Sequence, residues 1–149
     1  MENFNDSTNS GKHKYTVCAG FLENQWVPFK SLNLNLSARV DNYSNFGAQI
    51  NPSFSLLYKI NENNKIHTLI SRSFRAPTFN DLYWPSQAQY KGNPDLKPET
   101  GITSEVGIET KIHKDILSGL TYYHSNYNQL IKWVSNSDVW MPTNISSSE

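Results

Sequence analysis

Hydrophobic and polar residues alternate along most of this chain, with period two. Counting from Thr100, the even positions read Thr, Ile, Ser, Val, Ile, Thr, Ile, and the odd positions from Gly101 read Gly, Thr, Glu, Gly, Glu, Lys. That period describes a strand with one apolar and one polar face. Five more runs read as strands. Over 15–26, Tyr15, Val17, Ala19 and Phe21 fall on one face. Over 32–41, Leu32, Leu34, Leu36, Ala38 and Val40 oppose Asn33, Asn35, Ser37, Arg39 and Asp41. Over 50–60, Phe54, Leu56, Tyr58 and Ile60 oppose Asn51, Ser53, Ser55 and Lys59. A less regular run covers 66–74, and a sixth covers 116–134. No helical template fits more than one short segment, and no internal repeat is visible.

The connections differ in kind. "VPFK" (27–30), "NENN" (61–64) and "HKD" (113–115) read as short turns. Between them lie longer links: "NYSNFGAQ" after Asp41, the stretch 76–98 after Arg75, and "SNSDV" after Val134. This predicts an all-β chain, an antiparallel up-and-down meander whose two ends face different surroundings. The runs exceed the five or six residues usual in globular strands and match the roughly nine to eleven that cross a bilayer. Tyr15, Trp26, Tyr43, Phe46, Tyr58, Phe74 and Trp133 gather near strand ends, as interfacial girdles do. Alternation is common to membrane barrels and soluble antiparallel sheets, so a soluble all-β ligand-binding module stays open beside the barrel.

Composition narrows the choice little. Lys+Arg and Asp+Glu are both 13, leaving no basic field for nucleic acid. No run approaches the roughly 18 apolar residues of a spanning helix, and mean hydropathy is −0.60. Neither fact bears on a β-barrel, whose hydrophobicity sits in alternate positions. Cys18 is the single cysteine, expected as a small hydrophobe on a strand face. "MENFNDSTNSGKHK" has no apolar core of a signal peptide, so if the chain belongs outside the inner membrane its export signal is not in this stretch.

No catalytic, cofactor or metal site is expected, and the chain is not read as an enzyme. His13, His67, His113 and His124 lack metal-site spacing. There is no nucleophile elbow, phosphate loop, zinc-protease helix or dinucleotide fingerprint. Glu105 and Glu109 share a strand face about 13 Å apart, beyond the separation of glycosidase carboxylates.

The long link carries a family pattern. "SRSFRAPTFNDLYW" followed by "GNPDLKPETGITSEVGIE" resembles the barrel of TonB-dependent outer-membrane receptors. The matching positions are Phe74, Arg75, Ala76 and Pro77, then Leu82 and Tyr83. Next come Gly92, Asn93, Pro94, Asp95, Leu96, Lys97, Pro98 and Glu99, then Glu105 and Gly107 on the following strand. "NQLIKWVSNSDVWMPTNI" is similar to that family's following hairpin, with an accent of the vitamin B12 and siderophore transporters. The resemblance implies a partial segment of a large transmembrane β-barrel in the cell outer membrane. Its surroundings would be lipid outside and a plug inside, its substrate an iron–siderophore or corrinoid, and its energy source TonB acting through that plug.

The motif also has local physics. Pro77 bars Ala76 from the helical region and removes a ladder donor, so the strand should stop there. Thr78 is a plausible cap for one helical turn. Gly101 and Gly107 lie on the polar face, leaving room for another body such as a plug, or marking a bulge. About six strands and part of a seventh are expected, without plug or TonB box, and the chain ends "NISSSE" without a closing apolar strand. The whole of 1–149 thus reads as a barrel segment. The resemblance makes the long link an external loop that meets the ligand, with Phe79, Tyr83, Trp84 and Tyr90 as its ligand-contact candidates, since aromatics supply contact area at small entropy cost. The alternative is that they pack the loop onto its neighbours or sit at the lipid interface.

Overall fold

The computed structural model describes residues 2–7, 11–87, 89–136 and 138–146, the first of these segments as backbone only. Nine strands and one short helix are present among them. They are β1 (Glu2–Ser7), β2 (Gly11–Phe29), β3 (Leu32–Tyr43), β4 (Gly47–Lys59), β5 (Asn64–Arg75), α1 (Phe79–Tyr83), β6 (Glu99–His113), β7 (Ile116–Asn128), β8 (Leu130–Asn136) and β9 (Val139–Ile145). Strands β1 to β7 form one sheet in sequence order, and β8–β9 form a separate hairpin. Every pairing is antiparallel, as a meander requires.

The register fixes which residues share a face. From β2 to β7, up to two irregularities near strand ends, even-numbered residues pair only with even-numbered ones. One row therefore reads Trp26, Leu34, Leu56, Thr68, Val106, Tyr122 across six strands. The even face is apolar and uncovered: Leu22, Leu36, Ile70, Ile102, Val106 and Leu120 are all at least half exposed. The odd face carries rows such as Glu23, Ser37, Ser53, Ser71, Thr103, Ser125. A soluble antiparallel sheet hides its apolar face against a second layer. Here the only buried large hydrophobics among the described residues, Leu82 and Leu96, lie in the link 76–98 rather than on the sheet. The soluble-module expectation is not supported.

Several expectations need correction. The sheet and hairpin hold nine strands among the described residues, not six and part of a seventh. The run 116–134 is two strands, broken where Gln129 takes φ 59°. The link after Asp41 is a turn of only Ser44, Asn45 and Phe46, because β3 and β4 pair out to Tyr43 and Gly47. "SNSDV" closes the tight β8–β9 hairpin, with Asp138 at φ 72°. "VPFK" is mostly strand: β2 reaches Phe29 across a register shift, and the turn is Lys30 and Ser31. Tyr15, Val17, Ala19 and Phe21 do share a face, but register puts it on the polar side, opposite Leu22 and Trp26. Cys18 sits exposed on the even face, paired with Asn42. Of the expected long links only 76–98 is long. The final residues of "NISSSE", 147–149, lie outside the described residues.

Candidate functional site

The long link and the β8–β9 hairpin build a cap at one end of the sheet. Strand β5 stops at Arg75, two residues before buried Pro77. Thr78 then caps α1: its hydroxyl accepts the Asp81 N–H at 3.1 Å. The Asp81 Oδ2 in turn accepts the Thr78 N–H at 3.0 Å and its O–H at 2.7 Å. This reciprocal box satisfies N–H groups that a one-turn helix leaves open. Pro77, Leu82, Leu96 and Pro142 are each buried within the cap. Gly92 is required there, since a Cβ would stand 2.5 Å from the Trp84 backbone nitrogen and 2.7 Å from the Leu82 carbonyl oxygen.

The hairpin is clipped to the link by backbone and amide bonds. Lys91 N–H donates to the Trp140 carbonyl (3.0 Å), and Trp140 N–H donates to that of Gln89 (2.7 Å). The Asn93 amide donates to the Pro142 carbonyl at 3.0 Å. Asn144 accepts from Lys97 N–H at 2.8 Å and donates to the Lys97 and Gln129 carbonyls at 2.9 and 2.8 Å. Glu99 joins three elements. Its carboxylate takes a bidentate pair from Arg75 (2.7 and 2.6 Å) and the Ile131 N–H at 2.6 Å. The Arg75 hydrogen bonds, helped by Ile131 N–H and opposed by burial, hold the Glu99 carboxyl below the usual carboxylate range.

The four aromatic candidates divide into two pairs. Phe79 stacks on Tyr15 with centroids 5.1 Å apart, and Tyr83 stacks on His13 at 3.5 Å with planes 4° apart. Both tie the helix to the sheet end, where Tyr43 also meets Phe74 edge-on at 5.7 Å. Trp84 and Tyr90 instead line an open cleft of about 450 Å³ with Arg75, Thr78, Asn80, Asp81 and Trp133. Trp133 stands at the corner, 6.4 Å from Trp84 at 86° and 6.3 Å from Tyr90 at 63°. From the sequence Trp133 is expected only as a girdle aromatic, because nothing in the spacing couples it to Trp84 or Tyr90. Only the hairpin clip does that.

The motif strand β6 differs from expectation at its glycines. Pairing runs unbroken through Gly101 (Ser73, Tyr127) and Gly107 (His67, Thr121), so neither is a bulge. Neither leaves free space for an incoming body: the Tyr127 ring lies 2.8 Å from where a Gly101 Cβ would stand, and the His67 ring and Thr121 hydroxyl cover Gly107. Beside them Glu105 pairs with His67 at 3.2 Å, and Glu109 with Lys65 at 2.9 Å, both on the polar face.

The family model described as TonB dependent receptor-like, beta-barrel matches residues 2–149. The vitamin B12 transporter BtuB of Photobacterium profundum is 35% identical over 118 residues, covering 76% of this chain and 19% of that protein. The iron-regulated outer membrane virulence protein of Vibrio cholerae is 28% identical over 126 residues, covering 80% and 19%. The solved siderophore receptor PirA from Pseudomonas aeruginosa superposes with TM-score 0.88 at 25% identity, over 98% of this chain and 29% of that one. The chain spans about a fifth of the length of the curated relatives it matches.

Proposed function

The chain belongs to the TonB-dependent receptor-like β-barrel family, and we propose that it forms part of the wall and external loops of an outer-membrane receptor importing an iron–siderophore or cobalamin-like compound. The observation that carries this reading is the uncovered, continuous apolar face of β2 to β7, with no core on the sheet among the described residues. Lipid would cover that face and replace the missing second layer, while the polar face looks into the lumen. The cap lies at the end with the long link, the external side of such barrels. There Trp84 and Tyr90 meet the ligand, and Phe79 and Tyr83 hold the cap to the wall. Energy would come from TonB through a plug seated in the lumen. The chain itself performs no catalysis in this reading.

The test is uptake. Cells whose receptor contains this chain should accumulate radiolabelled ferric chelate or cobalamin only while the inner membrane is energised. Replacing 84–91 of the link by a Gly/Ser segment should abolish accumulation without emptying the membrane of folded barrel. Accumulation that continues after the proton gradient is collapsed would refute the reading.

A further inference from the structure

The chemistry of the cleft points to one kind of ligand group. Its walls are three π systems set at steep angles to one another: Trp133 meets Trp84 at 86° and Tyr90 at 63°. Each edge-on contact occupies one ring's edge and part of its partner's face, and Trp84 and Tyr90 remain 39% and 43% exposed. Ring faces carry negative potential and attract cations placed within about 6 Å of the centroid. The polar lining is Arg75, Thr78, Asn80 and Asp81, one cation and one anion. Asp81 spends Oδ2 on both Thr78 donors, leaving Oδ1 without a hydrogen-bond partner among the described residues. Arg75, the cation lining the cleft, is already matched by the bidentate Glu99 carboxylate. Arg75, Glu99 and Asp81 together carry one net negative charge, with Arg75 and Asp81 both in the cleft's lining and Glu99 outside it.

We propose that this cleft receives a cationic group of the ligand, an ammonium or guanidinium arm held against Trp84, Tyr90 and Trp133 and paired with Asp81. The inference rests on the cap being the ligand-facing side and adds a property that side alone does not imply. A bare carboxylate- or phenolate-type anion would meet Asp81 and the negative ring faces instead.

The probe is choline, compared with neohexanol, its uncharged carbon isostere, by saturation-transfer NMR on the receptor in detergent. Choline should bind about tenfold more tightly than neohexanol, the scale of a partly desolvated cation–π contact. Asp81→Asn and Tyr90→Leu should each reduce that preference several-fold, whereas Tyr90→Phe, which keeps a ring face, should retain it. Equal affinity for the two probes overturns the proposal, as does a preference unmoved by Asp81→Asn and Tyr90→Leu. If Tyr90→Leu unfolds the cap, the Asp81→Asn and Tyr90→Phe pair decides. Energised uptake with no choline preference would sink this inference alone. Choline preference without energised uptake would sink the import reading and leave the cationic site standing.

Discussion

Replacing Val106 by Arg puts a charge at the centre of the apolar face. Val106 is the eighth of fifteen residues in β6 and half exposed on the even face. Seven residues separate it from either strand end, about 23 Å at 3.3 Å per residue. With a tilt of about 45° that is ~16 Å along the membrane normal, half of the ~30 Å hydrocarbon core. At that depth Val106→Arg should destabilise the barrel by about 2–4 kcal/mol. Thr103 points to the other face, where its hydroxyl lies 2.9 Å from that of Ser125 and Ser71 stands opposite. Thr103→Arg forfeits one neutral hydrogen bond, about 1 kcal/mol, and keeps its charge in polar surroundings. Depth supplies an internal control. Arg72 already occupies the even face opposite Ile102, three positions in from Glu99, with its guanidinium turned to the Ile50 carbonyl. Ile102→Arg should therefore cost less than Val106→Arg. Reversible urea unfolding of the receptor from lipid bilayers measures all three. Equal losses at Val106 and Thr103 would refute the assignment of lipid to one face and lumen to the other.

Three further outcomes follow from the cap and the turns. Gly92→Ala should lower the melting temperature more than Gly107→Ala, because the first Cβ meets Trp84 and Leu82 backbone while the second meets the movable His67 ring; the reverse order would contradict the packing described. Because the Glu99 carboxyl is held below its ordinary range, its contribution is full above that range and is lost as pH falls through the folded-state value. Proteolysis of the link should accordingly speed up in acid, and Glu99→Gln should remove that pH dependence; a variant with the parent's acid response would exclude Glu99 as its source. In a Cys18→Ser background, Ser86→Cys on intact cells should react with a membrane-impermeant thiol reagent, and Asn63→Cys only after the outer membrane is breached. The opposite pattern would invert the sidedness.

Alternation made the wall legible, and tertiary pairing decided what alternation could not. In β3, β4 and β6 one parity is apolar and the other polar, so faces and strand ends were readable within a few residues. In β2 both parities carry large apolar groups, Phe21 on one and Leu22 and Trp26 on the other, and only pairing with Arg39, Ala38 and Leu34 separates them. The break at Gln129 carries neither Gly nor Pro, so the run through it looked continuous. Pro77 and Thr78 announced the strand stop and the cap, because both act within a few residues. The cleft was half visible. Trp84 and Tyr90 lie in one aromatic-rich link with Asp81, but Trp133 joins them through bonds between segments more than forty residues apart, such as Asn93 to Pro142. No local pattern encodes such contacts.

The clip between link and hairpin has a consequence for the order of assembly. On the proposed placement, the link and hairpin, with Asp81, Asp95, Lys91 and Lys132, must pass through the bilayer before they reach the outside. A cap already closed around Leu82 and Leu96 would be bulkier than its separate strands, so crossing before closure would be the easier order. The Glu99–Ile131, Lys97–Asn144 and Lys91–Trp140 bonds can form only after β6 and β7 have delivered both halves to the far side. Once formed, they make a knot wider than the threaded chain. On that placement the cap would act as a ratchet: closing after the strands are in place, it would slow withdrawal of β5 to β7 without strengthening the wall itself.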